Sequence, residues 1–338
     1  MSTAHQETPQ LPNVRLEGAK NETFEEKFRN EMERRLHTQD SPALKEIQKV
    51  EQGPTPEETE TIQLVDYWTN ALLKRYGVAP IHIPPHAVHI LSPDNLPRGW
   101  ETDINGRFYS NALSIAVVRQ SGQYPFAHIN FHEMLHAKSR LSARFKDKES
   151  EPFPKRLGLN ITGREPDDRS ISPEYFRWMN EAVIEELTKI FVQACIRAGK
   201  WRTEYQSTQA ILSGPDVPEK IKTNQSDCFF ASKRPQSFID RSAKKPQNQP
   251  AYEFAHYGYP EDRTALNILI TTLYEKNRDQ FQSREQVFDV FARTMLDDNF
   301  LPLGRLIERT LGKGSFKKIG SLGSIDELHS LIWAAGRR

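Results

Sequence analysis

Residues 125–136, Pro-Phe-Ala-His-Ile-Asn-Phe-His-Glu-Met-Leu-His, restrict the fold of this chain more than any other segment. Pro125 stands where the first turn of a helix accepts a residue without an N–H, and no second breaker follows it. His132 and His136 bracket Glu133 in the pattern H-E-x-x-H. Residues four apart lie one turn above each other, so both imidazoles can reach one cation at about 2.0–2.1 Å. Glu133, displaced around the helix, can then orient a water on that cation and take its proton. His128 lies on the same stripe, but Ile129 replaces the Glu that a second such pair would need, so His128 is a capping or supporting group. The competing reading is a surface helix that carries two His and a Glu by chance. The segment PFAHINFHEMLHAKSRLSARF is read as one helix, with the basic run from Lys138 to Lys148 as its solvated end.

Two histidines do not complete a catalytic zinc site, which takes three protein ligands and a water. Positions 139 and 142 are both Ser, so the extended three-histidine form of the motif is excluded. A carboxylate from a second helix is required. Ser172-Pro173-Glu174 is a helix start, and Met179, Val183, Leu187, Ile190 and Ala194 form one apolar stripe beside another at Ile184, Phe191 and Cys195. Glu181 and Glu185 share a face of this mostly buried helix, and buried carboxylates need a partner. Either can complete the ligand set. The alternative for Glu185 is a pairing with Lys189 one turn on.

His132-Glu133-Met134-Leu135-His136 followed by Trp178-Met179-Asn180-Glu181-Ala182 resembles the gluzincin metallopeptidases, the thermolysin-like enzymes and zinc aminopeptidases. The resemblance spans about 70 residues and implies a Zn2+ cofactor held by His132, His136 and Glu181. It further implies Glu185 and Asn180 as supporting groups and Glu133 as the base acting on zinc-bound water. Forty-four residues lie between His136 and Glu181, more than in thermolysin, which implies a divergent member. It also implies that the strand at Ala112–Val118 is the cleft edge on which an extended substrate pairs. A donor to the oxyanion is needed as well, and His256, Tyr257 and Tyr259, just before a helix, are the candidates.

The rest of the chain divides into a flexible tail (1–20), a charged helical segment and linker (21–60), a zincin-like α+β catalytic part (61–212), a Pro-rich loop or insertion (213–250) and a helical part (251–338). Helices are read at about Pro56–Tyr76, Glu261–Asn277, Arg284–Asp297, Leu301–Leu311 and Ile325–Ala335, with capping boxes at Ser283/Gln286 and Ser324/Glu327. Short strands are read at Ile81–Ile83, Ala87–Leu91 and Ala112–Val118, and residues 144–169 as a long connection. The fold class is therefore α+β, followed by an α-helical subdomain. His82, His86 and His89 fit no metal template. Only 2 cysteines are present, too few for a thiolate zinc site, so any metal must be held by His and carboxylate. With 46 Lys+Arg against 45 Asp+Glu, the chain has no electrostatic bias toward nucleic acid or anionic membrane. The expected partner is a peptide or protein substrate. The absence of an apolar leader or spanning segment points to the cytoplasm. The expected function is a zinc-dependent peptidase, exo or endo, and the alternative is an inactive scaffold with a structural metal that binds a protein partner. A helical binding module with a fortuitous motif is a third reading.

Overall fold

The computed structural model describes residues 14–17, 42–98, 100, 104–110, 113–144, 153–162, 174–215, 217–219, 221, 228–233, 252–297 and 299–337. Strand β1 (Val14–Glu17), helix α1 (Pro42–Gln48) and strand β2 (Glu51–Gln52) precede the first long helix, α2 (Pro56–Arg75). Helix α2 starts where it does because the Thr55 hydroxyl accepts the Glu58 N–H while the Glu58 carboxylate accepts the Thr55 N–H, with Pro56 next in line. It stops at Gly77, whose φ of 77° an L side chain rarely adopts. Then come β3 (Val88–Leu91), β4 (Gly106–Tyr109) and β5 (Ser114–Val118), which with β2 form a four-stranded sheet in the order β2-β3-β5-β4.

Helix α3 (Gln123–Lys138) carries the HExxH segment, and every residue in it except Gln123, Ile129 and His136 is buried. It is followed by β6 (Leu141–Arg144), β7 (Phe153–Leu157), β8 (Asn160–Thr162) and β9 (Glu174–Tyr175), which pair with β1 in the order β1-β6-β7-β8-β9. Helix α4 (Arg177–Arg197) ends at Gly199, and α5 (Arg202–Leu212) leads to the antiparallel ribbon of β10 (Cys228–Lys233) and β11 (Tyr252–His256). The chain finishes in α6 (Pro260–Lys276), α7 (Arg284–Leu296), α8 (Leu301–Leu311), α9 (Ser315–Gly320) and α10 (Ile325–Gly336). The class is α+β. One hydrophobic cluster draws on α2, β5, α3, α4, α6 and α7 and reaches Leu328 of α10, so residues 61–212 and 251–338 share a core. Among the described residues no helix is long and apolar enough to cross a membrane.

Several readings of the sequence are corrected. The HExxH helix ends at Lys138, and the residues after Arg140 enter β6. Ser139 turns extended (ψ 159°) and its hydroxyl closes back on the Leu135 carbonyl, which ends the helix where the apolar spacing alone would let it run on. Part of the supposed connection 144–169 is the β7–β8 hairpin, and part of the tail is β1, parallel to β6. Helix α4 begins at Arg177 after a left-handed Phe176 (φ 62°), because Glu174–Tyr175 pairs with β8; Ser172 and Pro173 lie outside the described residues. Residues 81–83 form no strand: the Ile81 and Ile83 N–H groups are taken by the Asn70 and Asp66 side chains. Gln286 caps Gln282 rather than Ser283, whereas the Ser324 hydroxyl does accept the Glu327 N–H. The 213–250 stretch contains β10, and α5, a helix beyond those expected from the sequence, precedes it. That helix matters, because the Glu204 carboxylate accepts the Gln123 and Tyr124 N–H groups and so caps α3 from a distance.

Lys138 is the clearest departure from a solvated helix end. Its side chain is fully buried, with the ammonium donating to the Asp66 carbonyl, the Asp66 carboxylate and the Thr69 hydroxyl. Burial pulls its pKa down to about 8 in spite of Asp66. The unfolded chain holds this proton up to about pH 10.4, so between these values the unfolded state binds more protons and stability rises with pH. Full burial makes that contribution on the order of 3 kcal/mol across the window. Burial of the Cys195 and Cys228 thiols raises their pKa to about 11 and works in the opposite direction, so the lysine contribution is read as a difference. Lys138→Met is expected to lose it, and its melting temperature to change less favourably from pH 7.5 to 9.5 than that of the wild type. Equal slopes in the two proteins would contradict the assignment.

Candidate metal centre

Helices α3 and α4 cross so that three ligand atoms converge. His136 Nε2 lies 3.2 Å from His132 Nε2, Glu181 Oε2 lies 3.4 Å from His132 Nε2, and Glu181 Oε2 lies 3.3 Å from His136 Nε2. A tetrahedral cation with bonds of about 2.0–2.1 Å sets its donors about 3.3–3.4 Å apart, so this nearly equilateral triangle fits one face of such a shell. Among the described residues these are the only three His, Cys, Asp or Glu groups whose ligand atoms gather this way.

The protonation pattern suits a cation. Burial alone would raise the pKa of Glu185, but His128 and His132 hold its carboxyl well below the ordinary range, so it is ionised and can only accept. His132 Nδ1 therefore donates to Glu185 Oε2 at 2.9 Å, which leaves the Nε2 lone pair aimed at the triangle. Glu181 is also held ionised: burial works against it, and His136 and His132 more than offset that. Its buried Oε2 has no hydrogen-bond partner and sits too far from either imidazole for a charge-assisted bond. Such an oxygen, set between His132 Nε2 and His136 Nε2, is what a bound cation satisfies. Without one the best substitute is a proton, and although burial opposes it, the carboxylates of Glu181 and Glu185 raise the His132 pKa well above its ordinary value.

Glu133 is buried on the flank of α3 that faces β4. A Cβ at Gly106 would come within 2.8 Å of Glu133 Cγ and 2.6 Å of Ile129 Cγ2, so only glycine lets the strand approach this closely. The Phe108 N–H donates to the Glu133 carboxylate, and burial, partly offset by the two imidazoles, raises its pKa. This donor faces away from the sheet for a simple reason. The Val118 N–H bonds the Asn105 carbonyl, and antiparallel alternation then assigns Arg107 and Tyr109 to the ladder and turns the backbone groups of Gly106 and Phe108 outward. The sheet edge beside α3 is thus β4. The strand expected in that place, Ala112–Val118, is β5 from Ser114 onward and lies inside the sheet between β3 and β4.

The oxyanion candidates separate. The Tyr259 ring stacks on His132 (centroids 6.0 Å, planes 15° apart), and its hydroxyl donates to Glu181. Tyr259 as a whole is 41% exposed, but desolvation of its hydroxyl, followed by the charges of Glu181 and Glu133, raises that group's pKa. Tyr257 is buried against Tyr124, Phe229 and Arg263, and His256 ends β11 with an exposed side chain. Asn180 does not face the triangle: its amide oxygen accepts the Leu159 N–H and fixes the turn at Gly158. Lys189 lies over the Tyr257 ring, and Glu185, 1% exposed, belongs to the histidines. His89 is buried against Glu51, and His82 pairs with Asp66, both away from the triangle. Compared with protein-family models, with curated proteins and with solved structures, the chain has no match in any of the three.

Proposed function

We propose that the chain is a zinc-dependent peptidase of the gluzincin kind, with a zincin-like catalytic fold. The observation that carries this reading is the triangle of His132, His136 and Glu181 with a buried Glu133 beside it. Two imidazoles and one carboxylate are the donor set of a hydrolytic zinc, and three protein ligands leave a fourth position for chemistry. Zinc, when bound, supplies Lewis acidity toward water and a substrate carbonyl. Glu133 takes the proton of the attacking water and returns it to the leaving amine, a task that its raised pKa suits. Tyr259, held protonated, donates to the carbonyl oxygen as negative charge develops on it. The outward backbone groups of β4 other than the Phe108 N–H, which Glu133 takes, hold an extended peptide alongside α3.

The test is zinc quantification in purified protein together with release of new amines from a mixed peptide library, with and without chelator. Stoichiometric zinc and hydrolysis restored by zinc after chelation are expected. Zinc well below one per chain, or hydrolysis indifferent to chelator, would contradict the reading, and tight zinc with no hydrolysis would favour the inactive scaffold. Tyr259→Phe is expected to lower kcat by about 10²- to 10³-fold with little change in KM. Gly106→Ala forces Glu133 or the strand aside and is expected to cost about 10²-fold in kcat/KM with zinc retained. Steady-state kinetics on one cleaved peptide checks both.

A further inference from the structure

Glu185 does more than hold one imidazole. Its Oε2 accepts His132 Nδ1, while its Oε1 accepts both His128 Nε2, at 2.9 Å, and the backbone N–H of Gly258. The carboxylate is 1% exposed, so no solvent substitutes for a lost donor. Gly258 precedes Tyr259, whose φ of 52° and ψ of 50° are left-handed for a residue with a side chain and are further disfavoured by Pro260 after it. Such a conformation persists only where its surroundings hold it. The holds are the Arg263 N–H on the Tyr259 carbonyl and Glu185 on the Gly258 N–H. His128 is itself fixed, with its ring stacked on Phe229 at 4.3 Å and tilted against Tyr257. Glu185 is ionised and can only accept, so His128 Nε2 is the donor between them, and its buried Nδ1 has no competing partner.

We infer that His128 is a positioning residue that, through Glu185, sets both the ligand His132 and the strained Gly258–Tyr259 segment. The inference rests on the proposed cation at His132, His136 and Glu181. One carboxylate thereby joins α3, α4 and the segment entering α6, so the metal centre and Tyr259 are ordered together. The coupling is reciprocal: by whatever factor metal changes the hold on the segment, ordering the segment changes the hold on metal by the same factor. The H-E-x-x-H pattern does not require a histidine at 128.

The test compares the full-length wild type with His128→Phe, which keeps the ring against Phe229 but donates nothing, and His128→Gln, which restores an N–H donor. Three quantities are measured: zinc affinity by competition with a chromophoric chelator, amide exchange at Gly258 with and without zinc, and kcat and KM. His128→Phe is expected to bind zinc about 10- to 100-fold more weakly. It is also expected to exchange the Gly258 amide faster by a similar factor and to lose kcat more than KM, with His128→Gln recovering part of each. Zinc affinity and Gly258 protection equal to wild type in His128→Phe would overturn the inference. If His128→Phe does not fold, His128→Leu, which also donates nothing, decides it: losses of more than about threefold in both Gly258 protection and zinc affinity support it, and values within about threefold of wild type overturn it. Failure of the wild type to take up zinc would instead overturn the metal reading. The Gly258 comparison in chelator-treated proteins would still decide whether His128 holds the segment.

Discussion

Glu133→Gln is expected to lower peptide hydrolysis by about 10²- to 10⁴-fold while leaving zinc in place. The substitution changes almost nothing else. Glutamine has the shape of glutamate, so it fits against Gly106 as the native residue does, and its amide oxygen still accepts the Phe108 N–H. What is lost is the ability to take a proton. Because Glu133 is not in the triangle of ligand atoms, zinc content is expected to match the wild type. Zinc quantification and turnover on the same preparation separate the outcomes. Activity within a few-fold of wild type would remove Glu133 as the base, and loss of zinc with activity would make it a structural residue of the site.

Glu181→Gln is expected to weaken zinc binding by more than the roughly 10- to 100-fold that changing a ligand's supporting partner costs. It removes the anionic corner of the triangle and leaves two imidazole nitrogens 3.2 Å apart with a neutral amide beside them. The same geometry predicts how binding depends on pH. Because its carboxylate neighbours raise the His132 pKa well above the ordinary value, zinc must displace a proton from it at neutral pH. Binding is expected to release protons, and affinity to fall as pH drops through a range above that of a free imidazole. Calorimetry in buffers of different ionisation enthalpy measures the release. Zinc affinity independent of pH between 6 and 8, or Glu181→Gln binding as tightly as wild type, would contradict the ligand assignment.

The parts of the site legible in the sequence are those whose chemistry is local. His132, Glu133 and His136 lie within one helical turn, and Glu181 and Glu185 were visible as carboxylates on an apolar helix. Which of the two joins the two imidazoles is decided only by the crossing of α3 and α4, which sets Glu181 beside His132 Nε2 and His136 Nε2 and Glu185 behind His132. Tyr259 was one of three candidates, separated from its neighbours by a left-handed backbone that nothing in the residue type announces. The long helices of the second half were legible because they are periodic and capped, as at Ser324. What escaped depends on partners distant in sequence. Strand β4 has only four residues, one of them glycine, and its role comes from packing on α3. The end of α3 is decided by the Ser139 hydroxyl and by Lys138 meeting Asp66 of α2, contacts that read in sequence as an ordinary basic helix end. Glu204, which caps α3 from α5, is 81 residues from Gln123.

The most direct measurement of the central claim is anomalous diffraction at the zinc edge from crystals of the zinc-loaded protein. The account predicts a single strong peak about 2.0–2.1 Å from His132 Nε2, His136 Nε2 and a Glu181 oxygen. A zinc peak at other residues, or none at this triangle from protein that carries stoichiometric zinc, would contradict it.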